Sequence, residues 1–584
     1  MSVILTTLNS KFIHSNLALR YLREYVKDIE DIQIEEYTIN QNLGDIASKI
    51  YELKPKLVGF STYIWNIDET LEICERLKLV SPQTKILLGG PEVSYDMEEL
   101  LTSHPYIDYI VYGEGEETFR ELLIKKNLES IEGLAFREGD KILINSPRTL
   151  IKDINSIPSP YESIGDEFKN KIVYYESSRG CPFNCAFCLS STIRGVRYMN
   201  LDRVKRDLDN LIDVGVKQVK FVDRTFNANK DFSQAIMSHI IERNPVGINF
   251  HFEVTAHLID NEQLEFFKDI KEGLFQFEIG VQSTNPKTIE AIGRNTDFER
   301  LAKVTRTIRQ SKNIHQHLDL IAGLPYEDYH RFGVSFDHIF QLRPEKIQLG
   351  FLKLLKGSAL RNLREEYGYG LIDKAPYEVM KSKWISYDDV IALKGIEELV
   401  EKYYNEEYFK HSIEYILQNQ FPSPFRFFED LMKFWKEQGL YDLSHSKDRL
   451  YEILMDYYKK QSYDQFEIFI ELLAFDYLQN NKGKPLPEYF NIGNGFDMTR
   501  SHELLKSKAL LSEILPEYMD ITTKKLLKKV KIQEFKHDLY EIINSGYRKK
   551  SNKQKTLVLF NYKDGVLERC KTYNISSYAE ELTE

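Results

Sequence analysis

At 584 residues the chain is too long for one ordinary core, and about 150 residues per domain implies roughly four units. Lys and Arg number 78 against 89 Asp and Glu, and the net charge of -11 argues against nucleic acid or an acidic membrane as a general partner. Five cysteines are too few for a disulfide framework, and no apolar run approaches the roughly 20 residues of a membrane span, so a cytoplasmic, reducing compartment is expected.

Residues 1–135 alternate between two periodicities. Strand MSVILTT precedes a helix near 15–29, and strand IQIEEYTI precedes one near 43–53. LVGFSTYI, a helix near 67–80, KILLGGPE, a short helix, YIDYIVYGEGE and a helix opening at Glu116 follow. Five such units predict a Rossmann-like, doubly wound parallel sheet whose ligand sits at the carboxyl ends of its strands. Gly89 and Gly90, then Gly113 and Gly115, fall at those ends, where glycine lets backbone approach a large ligand. Neither G-x-G-x-x-G nor G-x-x-x-x-G-K-[ST] occurs, which excludes the dinucleotide and Walker readings. Residues 136–170 read as the rest of a hairpin turning at Glu138-Gly139-Asp140, then an extended, three-proline linker over the surface.

Residues 171–365 open with KIVYYESS running into a loop that holds Cys181, Cys185 and Cys188. Two further cysteines at fixed offsets from a first are about a one-in-ten-thousand coincidence in a chain this poor in cysteine. Structural zinc wants four protein ligands, and Cys74 and Cys570 lie over a hundred residues away. A cubic iron-sulfur cluster instead takes one thiolate per iron and leaves a fourth iron open. Strands VKQVKFVDRTF, INFHFEVTAH, GLFQFEIGVQS, HQHLDLIAGLP and KIQLGFLKLL follow, separated by helical stretches. Six strands in all predict parallel βα units with the cysteines at the mouth, where a barrel places its chemistry.

From 366 to 584 the register becomes mainly helical. SYDDVIALKGIEELVEKYYN, SPFRFFEDLMKFWKEQGL and SKDRLYEILMDYYKKQ each open near a capping residue. A final hairpin is expected to turn at Lys563-Asp564-Gly565, and the basic stretches at 524–531 and 547–550 read as solvated faces.

The CxxxCxxC spacing resembles the radical S-adenosylmethionine (SAM) superfamily. That resemblance implies a (β/α)6 partial TIM barrel, a [4Fe-4S] cluster on Cys181, Cys185 and Cys188, and SAM chelated at the open iron by its amino and carboxylate groups. It places Glu278 and Gln282, in FEIGVQS, near the SAM ribose and methionyl groups, with a polar pair closing the barrel as the plain alternative. Glu253 matches the third-strand position, although Thr255 stands where an arginine is often found. Arg294 matches the arginine after the fourth strand, DRTF and AGLP complete the pattern, and Phe187 is placed near the adenine or cluster or in the core.

The domain order further resembles cobalamin-binding radical SAM proteins, in the subgroup with an uncharacterised helical C-terminal domain. Gly89-Gly90 matches the G-G of the cobalamin fold, and Ser61-Thr62-Tyr63 partly matches its S-x-L. D-x-H-x-x-G is absent, so His14 is not supported as a cobalt ligand. The resemblance assigns Ser61, Gly89, Gly90, Gly113 and Gly115 to cobalamin. It implies reductive cleavage of SAM to a 5'-deoxyadenosyl radical and methylation of an unactivated carbon. A small-molecule or natural-product substrate and an electron donor such as flavodoxin or ferredoxin are the implied partners. Cyclisation or rearrangement is the alternative chemistry, and a non-catalytic corrinoid or SAM sensor the alternative class. A methylthiotransferase needs a second trio of cysteines, which Cys74 and Cys570 do not supply.

Overall fold

Short, largely apolar strands alternate with helices from the first residues onward: β1 (Val3–Asn9), α1 (Leu17–Tyr25), β2 (Ile32–Thr38), α2 (Leu43–Glu52), β3 (Leu57–Ser61), α3 (Ile67–Val80), β4 (Lys85–Gly89), α4 (Met97–Ser103), β5 (Tyr109–Val111) and α5 (Gly115–Ile124). Asn16 and Asn42 start α1 and α2 by accepting from the backbone N–H three residues on. The computed structural model describes residues 2–162, 164–193, 195–492, 498–548, 554–562 and 570–580. Strand order is β2-β1-β3-β4-β5, parallel throughout, so the order reverses between β1 and β3. In an open sheet of this kind that reversal opens a crevice at the carboxyl ends of the strands.

Two regions differ from expectation. The hairpin of β6 (Leu134–Glu138) and β7 (Lys141–Ile144) does not stand apart from the first sheet; β6 pairs antiparallel with β5 and makes the sheet seven-stranded. Leu134, Ala135 and Phe136 are fully buried there, packed into the two apolar layers of the first sheet. The linker that follows is not a surface strap either. Ile154, Ile157, Tyr161 and Phe168 are buried, and the Tyr161 hydroxyl donates to the Tyr174 carbonyl at 2.5 Å. Its prolines break helix and strand, but every second or third residue is apolar and packs inward.

The second sheet begins with β8 (Ile172–Tyr175). An antiparallel hairpin, β9 (Ser178–Cys181) with β10 (Gly195–Tyr198), then interrupts the βα rhythm. The rhythm resumes with α6 (Leu201–Val214), β11 (Gln218–Phe221), α7 (Lys230–Arg243), β12 (Asn249–Val254), α8 (Asn261–Lys268), β13 (Phe275–Gln282), α9 (Pro286–Ala291), α10 (Phe298–Ser311), β14 (His315–Ala322), α11 (Tyr329–Phe340) and β15 (Lys346–Phe351). The six strands run β8-β11-β12-β13-β14-β15, parallel from β8 to β14. On β13 Phe275, Phe277, Ile279 and Val281 are completely buried, while Gln276, Glu278, Gly280 and Gln282 alternate with them on the more open face. That period of two sends the second set into the barrel lumen.

The segment after β1 borders one edge of this open barrel. Ile172 N–H donates to the Ile13 carbonyl at 3.1 Å, setting residues 13 and 14 beside β8. At the other edge the chain leaves β15, passes through α12 (Arg364–Tyr367), and returns along Leu352 at Val379.

The chain divides into two compact units, and residues 391–584 with 336–341 and 345–347 form the second. It is mainly helical, built on Lys410–Gln420, Pro424–Glu437, Lys447–Lys460 and Phe466–Asn480, with Ser423 and Ser446 as N-caps. A three-stranded antiparallel sheet (Val530–Phe535, Thr556–Asn561 and Lys571–Asn574) completes it. Lys524, Lys525 and Lys528 are exposed around a buried Leu526. The expected turn at Lys563-Asp564-Gly565 and the pair Lys549-Lys550 lie outside the described residues.

Candidate active site

Cys181 ends β9, and the loop to β10 carries Cys185 and Cys188, all free thiols. Gly180 has φ +108, and a Cβ there would overlap the Gly195 carbonyl, so only glycine lets this hairpin close. The loop is tied down on two sides: Ala186 N–H donates to the Ile292 carbonyl at 2.8 Å, and Leu360 N–H donates to the Ala186 carbonyl at 2.8 Å. Among the described residues no three Cys, His, Asp or Glu side chains converge on one ion position. A cubane asks for something else, one thiolate on each of three irons, and three free thiols spread along one anchored loop fit that demand. Burial pushes the Cys185 thiol up, against the pull of Arg294.

Arg294 joins this loop to the lumen. Its Nη2 donates to the Gly280 carbonyl at 2.6 Å, its Nε to Thr296 Oγ1 at 3.0 Å, and Nη1 lies 3.7 Å from Cys185 Sγ. A register shift between Gly280 and Gln282 gives Gln282 φ +70. Such a bulge re-aims a side chain, here bringing the Gln282 amide close to where a Gly280 Cβ would stand. Gln282 Oε1 is buried without a hydrogen-bond partner.

Deeper in the lumen, Glu278 is already occupied. Lys220 Nζ lies 3.4 Å and His251 Nε2 2.8 Å from Glu278 Oε2. Burial pushes Glu278 up, but His251 and Lys220 outweigh it and pull it down to about 2. Glu253, its register partner on β12, goes the other way: burial and the neighbouring Glu278 push it up to about 7. Asp319 on β14, opposite Gly280, was missed in the sequence, where an acid on the inward face of an apolar strand was the available signal. Burial, then Glu278 and Glu253, push it well up, and its Oδ1 has no hydrogen-bond partner. Glu253, Asp319, Gln282 and the guanidinium of Arg294 thus offer acceptors beside a cation. That set suits a ligand bearing an ammonium, hydroxyls and a carboxylate, as SAM does. Phe187 packs with Ala186 against the apolar group around Ile292, Leu324 and Leu352.

At the carboxyl edge of the first sheet the two central glycines differ. A Cβ on Gly89 would come no nearer than 3.6 Å, to the Val111 carbonyl, so the chain itself does not demand glycine there. Gly90 has φ +118 and ψ 173, and its Cβ would overlap the Thr62 carbonyl. The expected reason for Gly90 therefore changes: its own chain demands glycine, before any ligand does. Gly113 is set by φ +77 with open space around it, and Gly115 opens α5 against Val111. Ser61 Oγ lies 3.4 Å from Asn16 Nδ2, and the Ser61 carbonyl accepts from Thr7 and Asn66. His14 Nδ1 sits 2.9 Å from the Tyr174 hydroxyl.

Two features at this edge escaped the sequence reading. Tyr63 and Trp65 stack at 4.3 Å with rings 6° apart, and Trp65 is 48% exposed, an apolar plate that follows Thr62, whose N–H donates to the Gly89 carbonyl at 2.7 Å. Glu92, buried, accepts from the Tyr377 hydroxyl and lies 3.6 Å from Lys356 Nζ. The segment after β15 is thereby pinned to the GGPE loop and, through Leu360, to the cysteine loop.

Residues 3–123 match the B12 binding domain, 175–339 the radical SAM superfamily, and 365–560 a family described as a protein of unknown function (DUF4080). An uncharacterized methyltransferase of Pyrococcus horikoshii is 29% identical over 326 residues, covering 53% of this chain and 70% of the relative. The cobalamin-dependent radical SAM methyltransferase TokK of Streptomyces tokunonensis is 23% identical over 351 residues, covering 56% of this chain and 51% of TokK, about half its length. The solved structure of the cobalamin-dependent SAM radical enzyme OxsB, with aqua-cobalamin and SAM bound, covers 81% of this chain and 78% of OxsB with a TM-score of 0.57. At 15% identity that likeness is one of fold.

Proposed function

The chain belongs to the radical SAM proteins that carry a B12 binding domain, and on that premise we propose that it is a cobalamin-dependent radical SAM methyltransferase acting on an unactivated carbon of a small molecule. The observation that carries this reading is the anchored trio of free thiols, joined through Arg294 to a polar lumen and flanked by a sheet with an open glycine edge. Cys181, Cys185 and Cys188 would hold the cluster; Arg294, Gln282, Glu253 and Asp319 would orient SAM. Gly89, Gly90, Ser61 and the Tyr63–Trp65 plate would seat the corrin, with Gly113 and Gly115 shaping the neighbouring loop. Glu278 and Phe187 act from behind, one as a fixed negative charge and the other as packing. When bound, these groups supply the one-electron and methyl-transfer chemistry, while the protein supplies orientation and exclusion of water. The proposed division is a cobalamin domain at 1–135, a connector at 136–170 whose hairpin completes that domain's sheet, the catalytic barrel at 171–365, and a helical domain at 366–584 whose residues up to 390 pack with the first compact unit. A cytoplasmic setting with a flavodoxin- or ferredoxin-like reductant fits the chemistry.

Anaerobic reconstitution tests the reading. Cys181→Ala, Cys185→Ala and Cys188→Ala should each abolish 5'-deoxyadenosine formation, and Cys74→Ala and Cys570→Ala should not. Full iron and sulfide content in Cys185→Ala would sink the cluster assignment. With cobalamin and candidate metabolites, mass spectrometry should find a methylated product; an isomerised or cyclised product would turn the reading toward rearrangement.

A further inference from the structure

The hairpin that carries Cys181 is gripped from outside the barrel. Arg179 on β9 and Arg197 on β10 are cross-strand partners in the hairpin register. Both reach the same turn of the first sheet, between β5 and α5. Arg197 donates to Glu114 through Nη1 at 3.0 Å and Nη2 at 2.6 Å; Arg179 Nη2 donates to Glu116 at 2.9 Å and Nη1 lies 3.4 Å from Glu114. Arg179 also grips Glu176, at the foot of its own hairpin, at 2.9 Å. Glu114 and Glu116 have side chains only 8% and 7% exposed, so this is no surface ion pair. Glu114 further accepts from Ile151 N–H at 2.7 Å, which fixes the turn from its other side. Gly113 and Gly115 alternate with these two acids, and Gly113 at φ +77 lets the turn present both to the hairpin.

We propose that Glu114, Glu116, Arg179 and Arg197 form a positioning clasp that sets the cluster-bearing hairpin against the corrin-binding edge, so that SAM held at the cluster can deliver its methyl group to cobalamin. The clasp touches neither cofactor. It acts through geometry, since a forked guanidinium–carboxylate pair fixes both distance and angle. The inference rests on the methyltransferase reading, and its test separates the two.

SAM has two fates on such a protein. Reductive cleavage at the cluster gives 5'-deoxyadenosine and needs no corrin. In the other fate SAM gives its methyl group to reduced cobalamin: the sulfonium S–CH3 bond breaks, the reduced cobalt supplies the electron pair of the new bond, and S-adenosylhomocysteine departs. Full-length reconstituted protein is incubated with SAM, reductant and hydroxocobalamin, and both products are quantified. In Glu114→Gln and in the milder Arg197→Lys, S-adenosylhomocysteine formation should fall at least tenfold while 5'-deoxyadenosine, iron content and cobalamin uptake stay within about twofold. Amide hydrogen exchange on the protein without cofactors should rise at 178–181 and 195–198 and stay unchanged in β12 and β13. Arg76→Ala, which removes an exposed pair with Glu72 on α3, should alter none of these. If both products fall together in the clasp variants, or S-adenosylhomocysteine formation persists despite faster exchange, the clasp is only structural and the inference is overturned. If wild-type protein forms no S-adenosylhomocysteine with reduced cobalamin, the methyltransferase reading falls and the inference with it.

Discussion

Glu253 and Glu278 are the same residue type, one strand apart and in register, yet their carboxyl groups behave oppositely. Lys220 and His251 hold Glu278 ionised, whereas burial beside that fixed charge pushes Glu253 up to about 7. A carboxyl raised in the folded state keeps its proton more tightly there than in the unfolded chain. Its contribution is therefore full below the unfolded value near 4.5 and is lost as pH rises through about 7. The difference is on the order of 3 kcal/mol, from about 2.5 pH units at 1.36 kcal/mol each. Thermal unfolding of the cofactor-free protein between about pH 5 and pH 8 should lose less stability in Glu253→Gln than in wild type. Glu327 and Asp476, also pushed up to about 7 by burial, are shared by both proteins and cancel in the comparison. Equal pH slopes would show that Glu253 is ionised throughout.

At the scale of elements, the loop after β4 shows how a motif mixes two causes. Gly90 lies in a backbone region that is essentially glycine-only, worth about 1–3 kcal/mol of strain for any other residue, and its Cβ would overlap Thr62. Gly90→Ala should thus lower the melting temperature of the first domain even without cobalamin. Gly89 has no such constraint, and Gly89→Leu should leave the cofactor-free melting temperature within a degree or two while weakening hydroxocobalamin uptake at least tenfold. Absorbance titration and calorimetry on both variants separate fold from binding. Undiminished uptake in Gly89→Leu would remove this edge from the corrin site.

Across the first compact unit, polar knots help to hold the two sheets together. One is the hairpin clasp; another is Glu92, buried between Tyr377 and Lys356. Removing one partner of a buried hydrogen bond costs about 1–3 kcal/mol, because the other is left without a donor. Tyr377→Phe should therefore lower the unfolding temperature and raise hydrogen exchange in residues 353–381, whereas Glu92→Gln, which keeps a neutral acceptor, should do so less. Equal exchange in wild type and Tyr377→Phe would mean that the segment is held by its apolar contacts alone.

Local regularities decided much of this in advance. The period of two in FEIGVQS placed Glu278 and Gln282 on one face, and the spacing of Cys181, Cys185 and Cys188 singled out one loop, because both depend on residues a few positions apart. The Rossmann-like order of units and the barrel's six strands were legible for the same reason, since each strand and helix carries its own apolar pattern. Long-range pairing was not. Nothing near Glu138 tells that its hairpin extends the first sheet, and nothing near Tyr161 tells that a proline-rich linker buries its aromatic rings. Arg179 meets Glu116 across 63 positions and Tyr377 meets Glu92 across 285. The electrostatics followed the same division: sequence names the acids, but which carboxyl is held ionised and which keeps its proton depends on burial and on neighbours supplied by other strands. Only the folded chain brings those groups within the few ångströms over which hydrogen bonds and Coulomb forces act strongly.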